Sequence, residues 1–399
     1  MNGRHNKKLF LKAGLLALAA IFAAGLLAGC GGNGGGNGGG NGAPPPDAGS
    51  AGGSYQTPQP GPEPLPIFWL TGLVAPNKQA TQNRVISVKI ENTPQARPQL
   101  GLARADLVYE SITEGGITRF NCLFQSDIPD NVGPVRSARD SDMSIVPQYN
   151  ALFFFSGAND QVWARLATTT INEMSQDSAS DLYHRVSDRA APHNLYLDLT
   201  KAYDQAARMG FIPTETKPRT LEFGELPTGS QTAVKAFNVP FSGTDYNVNW
   251  TWDKTAGKAG NGAWLRSIGG TPQTDAADGS QIAAENVVAL WVDYVPAPPV
   301  PGKGQTYNVN LTGSGMAAVY RDGVRIDGTW TSDGVTPPRF ADSGGNPIPL
   351  AVGHTWFQVL PTGTQIVEQA AEIAPPIDSQ SGGSAASPAA GGSGTATNG

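Results

Sequence analysis

Cysteine is almost missing from the chain, with two among 399 residues, Cys30 and Cys122. Histidine is nearly as scarce, and His5, His184, His193 and His354 lie too far apart in sequence to suggest a Cys/His metal motif. No Gly-x-Ser-x-Gly elbow, Ser-x-x-Lys pair or assignable carboxylate pair is present, so the common hydrolase signatures give no support for an enzyme. There is one long apolar run, Ala13 to Ala28, and its 16 residues fall short of the roughly 20 a helix needs to cross a bilayer. Basic residues are few. The net charge is −6, and because residues 1–30 hold four basic and no acidic side chains, the remaining 23 basic and 33 acidic residues give −10. A body this acidic is a poor general binder of nucleic acid, which needs clustered Lys and Arg against phosphate.

What is present begins at the N-terminus. Arg4, Lys7, Lys8 and Lys12 precede the apolar run, in the order of a secretory signal peptide. The run ends in Leu27-Ala28-Gly29-Cys30, which resembles the lipobox read by lipoprotein signal peptidase. The resemblance implies cleavage before Cys30, lipid on its thiol, and a place at the extracytoplasmic face of the cell membrane. Cys122 then has no disulfide partner, and its run Arg119 to Phe124 predicts a small buried hydrophobe. Residues 31–66 are Gly, Asn, Pro and Ser rich with almost no apolar side chains, so they read as a spacer. As a flexible coil, 36 residues span roughly 30–36 Å.

The expected organisation is α+β: signal peptide 1–29, lipidated Cys30 and linker through 66, a mixed α/β domain 67–220, a β-rich domain 221–370, and a disordered tail 371–399. Strands are predicted over 84–90, 106–109, 117–125 and 151–155. Asn159 is a candidate cap for one helix, and Asp198 or Thr200 for another that carries Leu199, Ala202, Tyr203, Ala206 and Met209 at helical spacing. Short β-like runs follow at 232–241, 246–253, 263–268, 287–295, 305–311, 316–321, 324–331 and 354–360.

The distinctive stretches are Arg97-Pro-Gln-Leu-Gly-Leu102, Glu114-Gly-Gly-Ile-Thr-Arg-Phe120, Gly133-Pro-Val-Arg-Ser-Ala-Arg139 and Ala191-Pro-His-Asn-Leu-Tyr196. With Arg321-Asp-Gly323, Gly328-Thr-Trp330 and Gly353-His-Thr-Trp356, they resemble the YerB-like lipoproteins over most of 67–362. The resemblance implies a two-domain lipoprotein and brings no activity with it. More distantly, Asp106 with Arg119, Arg136 and Arg139 resembles the cell-wall glycopolymer transferases of the LytR-CpsA-Psr type. That likeness implies a Mg2+-dependent phosphotransferase or hydrolase acting on a polyprenyl-phosphate-type substrate, although Ser-Ala-Arg-Asp stands here where that family has Ile-Pro-Arg-Asp.

Between residues 84 and 200 there are nine arginines and one lysine, a bias toward the planar forks that match phosphate or carboxylate oxygens. Fourteen acidic residues share the stretch and can pair with them. Arg119, Arg136, Arg139, Asp106, His193 and Asn194 are therefore the candidate anion-binding residues. Arg119, beside Glu114 in a strand-like run, is expected to be structural, and at least one of Arg136 and Arg139 to contact ligand. Gly115-Gly116 and Gly133-Pro134 read as tight turns more than as phosphate cradles. His193 is either a loop hydrogen-bonder or an acid–base group. Trp291, Trp330 and Trp356 are core residues or, alternatively, a stacking platform for sugar rings. The preferred reading is a non-enzymatic module, without cofactor or metal, that binds an anionic envelope ligand or a protein partner. The alternative is the envelope enzyme.

Overall fold

The run Ile86-Ser-Val-Lys-Ile-Glu91 alternates apolar and polar side chains, a pattern that normally leaves one strand face in water. Here both faces are covered, and all six residues of strand β1 (Ile86–Glu91) are buried. In this computed structural model the described residues are 64–211, 220–241, 244–300, 302 and 304–371. The expected signal peptide, Cys30, nearly all of the linker and all but the first residue of the expected tail lie outside them. No helix among the described residues is long and apolar enough to cross a membrane.

Strands β2 (Leu107–Ile112) and β3 (Thr118–Phe124) form a hairpin whose second strand pairs antiparallel with β1. Gly115 and Gly116 make its turn with φ of 69° and 74°, a conformation that side chains resist. After β4 (Asn131–Val132) come α1 (Asp142–Tyr149), β5 (Leu152–Phe155), α2 (Asp160–Leu166) and β6 (Asn172–Ser175). β5 runs parallel to β1, and β6 to β5. β7 (Tyr183–Arg185) and β8 (Leu195–Asp198) join β4 in a small separate sheet, and α3 (Ala202–Arg208) follows.

The second half is built of strands. These are β9 (Thr232–Pro240), β10 (Asn247–Asp253), β11 (Ala263–Ile268), β12 (Thr271–Pro272), β13 (Ala283–Ala284), β14 (Asn286–Val292), β15 (Tyr294–Val300) and β16 (Gly304–Val309). Next come β17 (Gly313–Arg321), β18 (Val324–Ser332), β19 (Arg339–Ala341), β20 (Thr355–Pro361) and β21 (Val367–Ala370). The main sheet runs β12-β11-β10-β9-β18-β17-β14-β20-β2-β3-β1-β5-β6. β20 lies between β14 and β2 and is parallel to both, so a late strand is hydrogen-bonded to an early one.

Two apolar clusters flank this sheet. One gathers Val88, Ile90, Phe120 and Cys122 with Trp250, Trp264 and Trp356. The other gathers Tyr109, Leu123, Phe153, Phe155 and Phe357 with Ile145 of α1. Each Val, Leu, Ile or Phe among them, fully buried, contributes about 1.5–3 kcal/mol.

The architecture is thus mostly β with a few short helices, more strand-rich than an α+β reading suggests. Helix α2 starts as expected, with Asn159 accepting from the Val162 amide at 2.8 Å. The other cap differs: Asp198 accepts from the Thr200 amide in a local turn, and α3 begins at Ala202 without a side-chain cap. Helix α1 has no counterpart in the sequence reading, because Pro147 sits inside it and its faces mix polar with apolar residues. Trp330 and Trp356 are 3 % and 2 % exposed, and the half-buried Trp291 donates to the Thr364 carbonyl at 2.8 Å. Trp330 and Trp356 are core residues and offer no sugar platform.

Candidate functional site

Glu91 ends β1 and is completely buried. Two neighbouring segments fix what surrounds it. On one side the β1–β3 register sets Arg119 directly opposite, so the two side chains rise from the same face. On the other side Val135 bridges to Ile90 and the Arg136 amide bonds to the Lys89 carbonyl, which sets Arg136 beside the carboxylate. Arg136 Nε lies 3.3 Å from Glu91 Oε1. The same oxygen receives the Thr93 hydroxyl at 2.9 Å and sits 2.9 Å from His193 Nδ1. Glu91 Oε2 has no hydrogen-bond partner among the described residues.

The charges around this carboxylate do not balance. Arg139 grips Glu114 Oε2 through Nε and Nη2 at 2.9 and 2.7 Å, and Lys89 pairs with Asp142 at 2.7 Å with neither side chain exposed. Arg136 has Glu91. Arg119 has no carboxylate within ion-pair distance among the described residues. It is 8 % exposed and makes one described hydrogen bond, from Nη1 to the Ser137 carbonyl at 3.2 Å. Burial, then the neighbouring Arg139 and Arg136, pull its pKa down to about 9 against the opposing pull of Glu114 and Glu91. It stays charged at neutral pH. Glu114 resists its own burial because Arg139 stabilises the ionised form and holds its pKa low. Arg119, expected to be structural, lies near Glu114, but that carboxylate is taken by Arg139.

Tyr246 is 8 % exposed, and burial raises its hydroxyl pKa, with Arg97 and Arg119 opposing the rise and Asp245 and Glu91 adding to it. Arg97 stacks over the Tyr246 ring at 5.4 Å and, among the described residues, bonds neutral groups, the Asn92 side chain and carbonyl and the Asp245 carbonyl. A cavity of about 590 Å³ opens against Arg97, bounded also by Pro94, Pro98, Asp245, Ile268 and Gln273.

The other candidates lie elsewhere or are occupied. Asp106 precedes β2, whereas Arg119 faces Ser111, so roughly 17 Å of strand separates them. The Asp106 carboxylate accepts from the Gln125 and Ser126 amides at 2.5 and 2.9 Å and from the Ser126 hydroxyl. Burial nonetheless lifts its pKa to about 6. Asp106→Ala should cost about 2–4 kcal/mol, because the buried Gln125 amide and the half-buried Ser126 amide lose their acceptor, and should leave anion affinity unchanged. Urea denaturation together with an anion titration checks both outcomes. Asn194 spends its amide on Val186 and Arg185 within the β7–β8 hairpin. Gly133 gives its amide to the Leu100 carbonyl, so it forms no cradle.

Two family profiles match the chain, described as the N-terminal and C-terminal domains of a protein of unknown function (DUF3048), over residues 70–212 and 237–357. The chain is 27 % identical over 303 residues to "Putative lipoprotein YerB" of Bacillus subtilis (strain 168), covering 73 % of this chain and 85 % of the relative. The chain belongs to the YerB-like family. The crystal structure of YerB from Bacillus subtilis superposes with a TM-score of 0.65 at 26 % identity, covering 75 % of this chain and 99 % of YerB.

Within this YerB-like chain, sequence reasoning found the arginines and His193 but gave Glu91 no role. The signal was present: Ser87, Lys89 and Glu91 share one face of a strand that is apolar on the other, marking a buried polar ribbon.

Proposed function

We propose that the protein is a lipid-anchored extracytoplasmic lipoprotein that captures an anionic group of an envelope ligand beside Arg119. One observation carries the reading: an arginine more than nine-tenths buried, flanked by two further arginines, with no carboxylate within ion-pair distance among the described residues. Native proteins rarely leave a buried charge uncompensated, and a phosphate or carboxylate of the ligand would supply the missing partner with bidentate geometry. The lipobox Leu27–Cys30 and the name of the Bacillus subtilis relative, a lipoprotein, support the anchor. Titration calorimetry of the full chain with pyrophosphate, inorganic phosphate and acetate tests the capture. Saturable binding of at least one anion that weakens with added salt is expected, and heats no larger than dilution for all three would sink it.

Anchoring has its own test. The lipid is held only by the Cys30 thiol, so Cys30→Ser should abolish metabolic labelling with a clickable fatty acid. Labelling equal to wild type would refute the anchor.

A further inference from the structure

We propose that the anion site is also an acid–base site, in which His193 Nε2 activates water against a phosphoric ester held by Arg119 and Arg136. The proposal rests on the anion-binding reading above. Its own support is the geometry of the imidazole. His193 Nδ1 lies 2.9 Å from Glu91 Oε1 and 3.3 Å from the Thr93 hydroxyl; in the neutral imidazole, a carboxylate accepting at Nδ1 selects the tautomer that carries its proton there and its lone pair on Nε2. Glu91 is locked by the strand, by Thr93 and by Arg136, so the ring orientation is fixed from below. The His193 side chain is 22 % exposed, and no described residue bonds Nε2. A carboxylate-oriented imidazole with an open Nε2 is the arrangement by which triads hold a general base. Here it stands around one carboxylate with the two arginines, Arg119 across the strand pair and Arg136 in contact.

The step balances without a redox partner. A water oxygen forms a bond to phosphorus as its proton moves to Nε2. The phosphorus–oxygen bond to the alcohol breaks, and the departing oxygen takes that proton back from the imidazolium. Arg119 and Arg136 stabilise the charge spread over the remaining phosphoryl oxygens. Glu91 is the positioning residue and His193 the catalytic one.

The test follows release of p-nitrophenol by the full chain from p-nitrophenyl phosphate and bis(p-nitrophenyl) phosphate, with pyrophosphate binding measured in parallel. Turnover of at least one ester is expected, with His193→Ala lowering kcat by about 10²–10⁴-fold at little change in KM. Added imidazole should restore part of the His193→Ala rate, which a merely misfolded variant would not show. Pyrophosphate binding without turnover of either ester would overturn this proposal and leave the binding reading standing. His193→Ala turning over at the wild-type rate would do the same. Absence of both binding and turnover would remove the two together.

Discussion

Arg266→Ala should lower unfolding stability by about 3–5 kcal/mol, the cost of stranding a buried carboxylate. Arg266 in β11 is fully buried, and its Nη2 reaches both oxygens of Glu110 in β2 at 2.9 and 2.7 Å. Its guanidinium packs over Trp356 at 4.7 Å, Phe120 at 5.5 Å and Trp250 at 5.7 Å. Glu110 also accepts from Trp356 Nε1 at 3.1 Å and from the Thr118 hydroxyl at 2.8 Å. Burial pulls the Arg266 pKa down, and Glu110 opposes that pull. The pair ties a second-half strand to a first-half strand, so its loss should weaken both halves in one transition. Glu110→Leu combined with Arg266→Met should be less destabilised than Arg266→Ala, because no charge is left unpaired. It should not reach wild type, since Thr118 and Trp356 lose their acceptor. Urea denaturation of the three proteins checks the order. A single replacement no worse than the double one would contradict it.

Arg119→Met is expected to move stability and binding in opposite directions. Below about pH 9 residue 119 is protonated in both the folded and the unfolded chain. Between there and the higher ordinary value of an arginine only the unfolded chain keeps the proton, so stability rises with pH across that window. At neutral pH the buried charge is therefore a cost. Methionine removes that charge at similar length, so the empty protein should be unchanged or gain up to about 2 kcal/mol. Affinity for a phosphate anion should fall by about 10–100-fold, in line with losing a charge-assisted hydrogen bond of roughly 1.5–3 kcal/mol. Arg139→Ala is the contrast. It strands Glu114, whose side chain is 7 % exposed, and should cost stability on the scale of a broken buried pair, about 3–5 kcal/mol.

Which of these residues the sequence exposes follows from the range of the forces that place them. Strands such as β1, β3 and β11 show in local alternation, and α2 shows in its cap, because those signals lie within a few residues. Helix α1 does not show, since tertiary burial overrides the helix-breaking tendency of Pro147. The arginine motifs are legible as unusual, but their pairing is not. Whether Glu114 takes Arg119 or Arg139 depends on how the β2–β3 turn meets the segment before α1, a contact between residues 25 apart. Asp106 misled for a similar reason. Its partners Gln125 and Ser126 lie at the far end of β3, and only the hairpin register shows that it caps that end and stays away from the arginines.

The measurement that bears most directly on the anion site is a paired titration of wild type and Arg119→Met with pyrophosphate, each with its melting temperature in the empty state. Loss of binding at an unchanged or higher melting temperature is the predicted result. Retained binding with a large fall in melting temperature would show Arg119 to be a structural residue and would contradict the account.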